Sequence, residues 1–212
     1  MDLHDALRLQ QRHLAGIFSE LSDEQFAKQS LCSEFTVHLV LAHLVAQHST
    51  SALKRGLTIA RHRRNRPLAQ LELAQKVGAA SSAALLEQYV GLIEHSEELS
   101  PKLVTQRMAD TVIHTVDVCR PLGLAVPMVE FDFAAVLSFL ASDTALLEFV
   151  AAPLPNVTFV ATDAAWRAGR GPEVTGASLD LALAMTARPN ATRGLSGPGI
   201  ESIAQWARVH RR

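Results

Sequence analysis

The sequence predicts a mainly α fold, with a helical bundle over residues 1–150 and a small α/β domain over residues 153–212. Through the first of these ranges, apolar residues recur at helical spacing and no segment alternates as a strand would. After Pro153 and Pro155 the composition changes to VTFVAT, residues 157–162, which is β-branched and aromatic. A chain of 212 residues, 48% of them hydrophobic, is long enough to bury a core.

The first three helices are set by apolar spacing and by local start and stop signals. Leucine, isoleucine and phenylalanine at helical spacing predict a first helix over residues 2–21. Thr36 can cap a second helix, which the pattern extends over residues 37–64. A third helix is predicted between residues 68 and 93, with Gly78 as a weak point.

Two further helices complete the predicted bundle. Ser100 and Pro101 form a start signal, because serine can cap a helix and proline is tolerated in the first turn. The fourth helix therefore runs over residues 102–120, and Pro121-Leu-Gly123 ends it. A fifth apolar helix is predicted over residues 131–150.

The C-terminal domain is predicted to combine two strands with two helices. Residues 157–162 form the first strand, and residues 166–168 can return beside it. The glycine-rich GRGPEVTG that follows has the chemistry of a loop. Residues 178–188 and 199–208 then predict helices.

Composition and charge exclude several functional classes. The net charge of −1 offers no field for nucleic acid, and the basic run at residues 61–66 is typical of a solvated helix end. The N-terminus MDLHDALRLQ is acidic where a signal peptide is basic, and no apolar run reaches the length of a membrane span. Cys32 and Cys119 have neither disulfide nor zinc-finger spacing. These features predict a cytoplasmic protein with reduced thiols and no membrane or nucleic-acid partner.

His43 interrupts the apolar run LVLAHLVA with a titratable ring. One interpretation is a core histidine that a backbone carbonyl satisfies. The other is a metal ligand whose partners lie elsewhere in the chain. His38 and His48 lie about 140° to either side of His43 on an ideal helix, so the three histidines cannot share one site.

The fourth helix contains ADTVIHTVDVC, which places Asp110 and His114 four residues apart on one face. A carboxylate and an imidazole in that arrangement can bind one cation together, and His43 is the natural third ligand. Two histidines and a carboxylate leave a position open, as catalytic zinc sites do. The alternative is a solvated polar face with helix-stabilising charge pairs, which would include Arg107 and Asp117.

Taken in order, several segments resemble the mycothiol-dependent maleylpyruvate isomerase family. LCSEFTVHLVLAHL, residues 31–44, resembles the family's C-x-x-W-[ST]-V-x-x-x-[VL]-x-A-H-L segment. MADTVIHTVDVCRPLGL, residues 108–124, resembles its E-x-x-x-H-x-x-D-[LV]-x-x-x-x-G segment. Residues 157–188 and 194–207 resemble its small α/β domain, so the likeness covers nearly the whole chain.

The resemblance implies a DinB-like four-helix bundle that holds a divalent metal, usually zinc. By position, His43 and His114 correspond to the family's histidine ligands, and Asp110 falls where the family has a glutamate ligand. Phe35 stands where the family has tryptophan. The resemblance further implies mycothiol, an actinobacterial low-molecular-weight thiol, and a small electrophilic substrate.

The implied activity is isomerisation or S-transfer by a thiol that a metal activates. A thiolate that adds reversibly to a double bond turns it into a rotatable single bond, and a thiolate that stays attached gives transfer. Asp117 could orient a ligand imidazole. The alternative is a non-catalytic metal- or ligand-binding protein with a degenerate site, which the changes at Phe35 and Asp110 favour.

Overall fold

The computed structural model describes residues 1–94 and 99–210, and these are mainly helical with one small sheet near the C-terminus, as the sequence predicts. The chain divides into two compact units after Phe131. The predicted boundary lies later, between residues 150 and 153, so the segment 131–150 groups largely with the second unit. That the bundle and the α/β part are separate domains stays a prediction, and positions 211 and 212 lie outside the described residues.

The first unit contains the predicted four-helix bundle. The helices of this unit are α1 (Leu3–Glu20), α2 (Asp23–Ala27), α3 (Val37–Ser49), α4 (Ala52–Arg61), α5 (Arg66–Val77), α6 (Ser82–Glu94) and α7 (Pro101–Leu122). Helix α1 packs against α6 and α7, and α3 packs against α5, α6 and α7. The fold class is thereby confirmed, with α1, α3, α6 and α7 as the bundle.

Two of the helices predicted within the first unit are each divided into two. The predicted helix over residues 37–64 breaks after α3, because the Ser51 hydroxyl accepts the Lys54 backbone N–H at 3.3 Å and so begins α4. The predicted third helix breaks at Gly78, its weak point, and α6 begins only at Ser82. Apolar residues keep their helical spacing across both breaks. Periodicity alone therefore did not predict the break between α3 and α4, whereas Gly78 marked the other break as a weak point.

The ends of two other helices also differ from the prediction. Helix α7 continues to Leu122, with Pro121 in its last turn, and ends at Gly123, whose φ of 69° suits glycine. Helix α2 was not predicted. Its N-cap is Ser22, whose hydroxyl accepts the Gln25 backbone N–H, and the Gln25 side chain accepts the Ser22 backbone N–H.

The basic run at residues 61–66 covers the end of α4 and the start of α5, as expected of a helix end. Arg61 and His62 each contact a carboxylate oxygen of Glu72 at 2.6 Å. Lys76 contacts the same carboxylate. None of the helices among the described residues is both long and apolar enough to cross a membrane.

The second unit combines helices with one sheet. Its elements are α8 (Phe133–Leu140), α9 (Asp143–Phe149), β1 (Thr158–Ala161), β2 (Arg167–Gly169), β3 (Glu173–Gly176), α10 (Ser178–Met185), a 3₁₀ turn (Ala191–Gly194), β4 (Leu195–Ser196) and α11 (Ile200–Val209). The strand order is β2-β1-β3-β4, in which β1 pairs antiparallel with β2 and parallel with β3, and β3 pairs antiparallel with β4. At the start of α10, the carboxylate of Asp163 accepts the backbone N–H of Ser178 at 2.8 Å.

The prediction of a loop for GRGPEVTG is wrong in its second half, because Glu173–Gly176 forms β3, one of the two central strands of the sheet. Its glycines are the reason for the error. Gly171 has a φ of 120°, and a Cβ there would collide with the carbonyl oxygen of Asn156. The turn therefore requires glycine two residues before the strand. The predicted helix over 131–150 is also divided, since Ser142 caps α9.

Gln10 connects the segment after α7 to the bundle through side-chain hydrogen bonds. Its side chain is fully buried on α1, and its amide nitrogen donates to the Thr115 hydroxyl at 3.2 Å and to the Pro127 carbonyl at 2.8 Å. Its amide oxygen accepts the Val129 backbone N–H at 3.0 Å. One side chain thereby satisfies buried polar groups on two elements.

We expect Gln10→Ala to lower the free energy of unfolding by about 1–3 kcal/mol, because it leaves buried donors and acceptors without partners. Urea denaturation of the full chain measures this. Gln88→Ala is the matched control, because Gln88 is exposed on α6 and its loss costs under about 0.5 kcal/mol. Equal stability of the two variants would contradict this role for Gln10.

Candidate metal centre

His43 lies in the middle of α3, in the interior of the first unit. Residues 40–46 of α3 are all buried, because α2, α5, α6 and α7 pack against this helix. This explains the apolar composition of the helix on every face. His43 itself is 2% exposed, so its imidazole must find its partners within the protein.

The polar face of α7 is buried as well. Asp110 and His114 are at most 5% exposed, and Asp117 is fully buried. The alternative of a solvated face is therefore wrong for these three residues. Periodicity identified the polar face correctly but could not say what covers it. Since α7 packs against α1 and α3, its polar residues lie inside the bundle.

The structure brings the three predicted ligands together. His43 Nε2 lies 3.6 Å from Asp110 Oδ1, and His114 Nε2 lies 3.5 Å from the same oxygen. One ligand atom from each residue lies within 4.8 Å of the other two. Aspartate is one methylene shorter than the family's glutamate, yet its carboxylate reaches both imidazoles directly.

These separations fit the geometry of zinc. Ligand atoms at about 2.0–2.1 Å from a tetrahedral zinc ion lie roughly 3.3–3.4 Å from one another. The two distances to the carboxylate oxygen, 3.5 and 3.6 Å, are close to that value, and the ligand atoms of all three residues lie within 4.8 Å of one another. Two imidazoles and one carboxylate are also the donor set of open zinc sites.

Asp117 holds the imidazole of His114 from the side opposite to the carboxylate of Asp110. His114 Nδ1 donates to Asp117 Oδ2 at 3.0 Å, three residues further along α7. This hydrogen bond fixes the ring orientation and leaves Nε2 turned toward Asp110. A carboxylate on the second nitrogen of a ligand histidine is a recurrent feature of metal sites.

The charges of the cluster stabilise one another. Burial alone would raise the pKa of Asp110, but His114 and His43 lower it far below its usual range. Burial alone would lower the pKa of His114, but the carboxylates of Asp110 and Asp117 raise it above 6.5, the ordinary value. The arrangement therefore favours an ionised Asp110 and a protonated His114 in the absence of a metal.

Phe35 forms an apolar wall against both imidazoles. Its ring centroid lies 5.3 Å from that of His43 and 6.3 Å from that of His114. The ring is 6% exposed and comes from the segment that precedes α3. Phenylalanine thus supplies an aromatic face at the position where the resemblance expects tryptophan.

The two neighbouring histidines of α3 are turned to other partners. His38 contacts the Ser82 hydroxyl at 2.8 Å through Nδ1 and the Gly78 carbonyl at 2.9 Å through Nε2. His48 Nδ1 donates to the Leu44 carbonyl at 2.7 Å. Burial lowers the pKa of His48 to about 4, so it is neutral near pH 7.

Sequence reasoning missed two residues that interact with the cluster. The carboxamide nitrogen of Gln47 lies 2.8 Å from His43 Nε2, and the i, i+4 spacing of the two residues was the available signal. The hydroxyl of Tyr89 is fully buried and has no hydrogen-bond partner among the described residues. Burial, and then the charge of Asp110, raise the pKa of Tyr89, and no sequence pattern indicated this electrostatic interaction.

Two solved structures that are similar in fold to this chain are of one enzyme. A crystal structure of the mycothiol-dependent maleylpyruvate isomerase has a TM-score of 0.60 and 17% sequence identity to this chain. A crystal structure of a point mutant of that enzyme has a TM-score of 0.58 and 16% identity. Each comparison covers 93% of both chains, and at these identities the likeness shows the fold.

The family comparison covers the region that contains the whole cluster. Residues 7–119 match the family described as the mycothiol maleylpyruvate isomerase N-terminal domain, and His43, Asp110 and His114 all lie within this range. None of the curated proteins matches the chain. The family match spans more than half of the 212 residues, and the resemblance seen in the sequence is confirmed. The chain belongs to the mycothiol maleylpyruvate isomerase family.

Proposed function

We propose that the chain is a metal-dependent enzyme that uses a low-molecular-weight thiol in isomerisation or S-transfer on a small electrophilic substrate. The observation that carries the proposal is the buried cluster of two imidazoles and one carboxylate. His43, Asp110 and His114 would hold one divalent cation, most simply zinc. Such a cation supplies a Lewis acid that lowers the pKa of a thiol or water bound to it.

The surrounding residues orient the ligands and exclude water. Asp117 keeps the proton of His114 on Nδ1, so that Nε2 remains the ligand nitrogen. Phe35 covers the two imidazoles and lowers the local polarity, which strengthens charge interactions inside the site. The carboxylate of Asp110 supplies the negative charge that favours a cation over a neutral ligand.

The family supports the thiol and the substrate class that we propose. The solved relatives are named for their dependence on mycothiol and for maleylpyruvate. We assign to this chain the same thiol and, as its substrate class, small electrophiles with an activated double bond or another electrophilic carbon. The non-catalytic alternative rests on Phe35 and Asp110. It is weakened because Phe35 retains the aromatic wall and Asp110 Oδ1 reaches both histidines.

We expect His43→Ala and His114→Ala to lower the affinity for zinc at least about 100-fold, because each removes one of three ligands. Asp110→Glu should retain zinc, since it restores the ligand that the family carries. Competition with a chromophoric chelator measures these affinities. His38→Ala is the matched control on the same helix, because both nitrogens of His38 have other partners. Unchanged affinity in a folded His43→Ala variant would exclude the site.

The affinity for zinc should also rise with pH. The pKa of His114 is raised above 6.5 in the metal-free chain, so near neutral pH zinc must displace a proton from this imidazole. The affinity therefore increases through pH 6.5 and levels off only above the raised pKa. Asp117→Asn lowers that pKa and should shift the rise toward lower pH. An affinity independent of pH between 6 and 8 would contradict a protonated His114.

The catalytic proposal is tested by turnover of a panel of electrophiles that includes maleylpyruvate. We expect turnover only when the zinc-loaded chain and mycothiol are both present, because the thiol supplies the attacking sulfur. Removal of zinc with a chelator should abolish turnover, and its return should restore it. A chain that binds zinc tightly, yet turns over none of the panel with mycothiol, would favour the non-catalytic alternative.

A further inference from the structure

Gln47 contacts the very nitrogen that faces the predicted metal position. Its carboxamide nitrogen lies 2.8 Å from His43 Nε2, and the same Nε2 lies 3.6 Å from Asp110 Oδ1. When His43 is neutral and its ring proton is on Nδ1, the amide N–H of Gln47 donates to Nε2. The side chain is half-buried, so the contact lies at the edge of the cluster and not in free solvent.

A cation and this hydrogen bond compete for one lone pair. A neutral imidazole nitrogen either accepts a hydrogen bond or binds a metal, because it has a single lone pair in the ring plane. Any cation that uses His43 Nε2 must therefore break the contact with Gln47. The carboxamide then has to turn, and a half-turn about its last bond exchanges its nitrogen for its oxygen.

The backbone keeps Gln47 beside the site when its side chain turns. Gln47 follows His43 by one helical turn on the same face of α3. Arg55 Nη2 donates to the Gln47 carbonyl at 2.6 Å, which fixes the C-terminal end of α3. The carboxamide therefore remains within reach of the cluster in either orientation.

We propose that Gln47 is a fourth metal-facing residue, whose amide donates to His43 in the metal-free chain and whose oxygen faces the cation in the loaded chain. The inference rests on the proposed metal site and adds a ligand that the sequence did not predict. Carboxamide oxygens bind divalent cations, and zinc expands from four to five ligands. A neutral oxygen would be a weaker zinc ligand than a carboxylate or a thiolate.

The test measures zinc affinity by chelator competition and the absorption spectrum of the cobalt-substituted full chain. The spectrum reports the number and type of ligands and does not depend on turnover. The variants are Gln47→Leu, which removes the oxygen, and Gln47→Glu, which replaces it with a carboxylate. Gln88→Leu and Gln88→Glu make the same changes at an exposed position on α6 and serve as matched controls.

We expect Gln47→Leu to weaken zinc binding about tenfold and to change the cobalt spectrum, whereas the Gln88 variants match the wild type. Gln47→Glu should tighten binding about tenfold or more and shift the same bands. If Gln47 only competes for His43, Gln47→Leu will tighten binding and leave the spectrum unchanged, which would overturn this inference alone. A wild-type chain that binds neither zinc nor cobalt would overturn the metal site itself.

Discussion

The carboxylate of Asp110 is buried between the imidazoles of His43 and His114, and the arrangement of the bundle depends on this contact. A buried carboxylate without partners is strongly destabilising, and removal of one partner from a buried pair costs about 3–5 kcal/mol. Helices α3 and α7 must therefore keep these faces opposed. The apolar surroundings of α3 hold it on its other sides, so the position of His43 is set by packing.

This contact explains how the site accommodates two departures from the family pattern, which are aspartate for glutamate at position 110 and phenylalanine for tryptophan at position 35. A shorter carboxylate requires a closer approach, and Asp110 Oδ1 lies at 3.5 and 3.6 Å from the two imidazole nitrogens. A smaller aromatic ring at Phe35 still covers both imidazoles. Asp117 fixes the outer nitrogen of His114, so the ring cannot turn its ligand nitrogen away. The changes preserve the chemistry of the donor set.

Sequence patterns predicted those parts of the molecule that depend on local spacing. The i, i+4 relation of Asp110 and His114 follows from helical geometry, and the apolar neighbours of His43 indicated burial. Spacing could not reveal the break between α3 and α4, because the apolar periodicity continues through it. The local sign of the break is Ser51, which caps the start of α4. Spacing also could not indicate that Gln47 and Tyr89 interact with the cluster, because those interactions depend on side-chain direction and tertiary packing. The strand Glu173–Gly176 was hidden by the glycines of the preceding turn.

The most direct test of the account is an anomalous diffraction map at the zinc absorption edge, from crystals of the zinc-loaded chain. The account requires one strong peak at about 2.0–2.2 Å from His43 Nε2, His114 Nε2 and a carboxylate oxygen of Asp110. The same map shows directly which neighbouring atoms complete the coordination. A peak bound by other residues, or no peak between α3 and α7, would contradict the claim that these three side chains form a metal site.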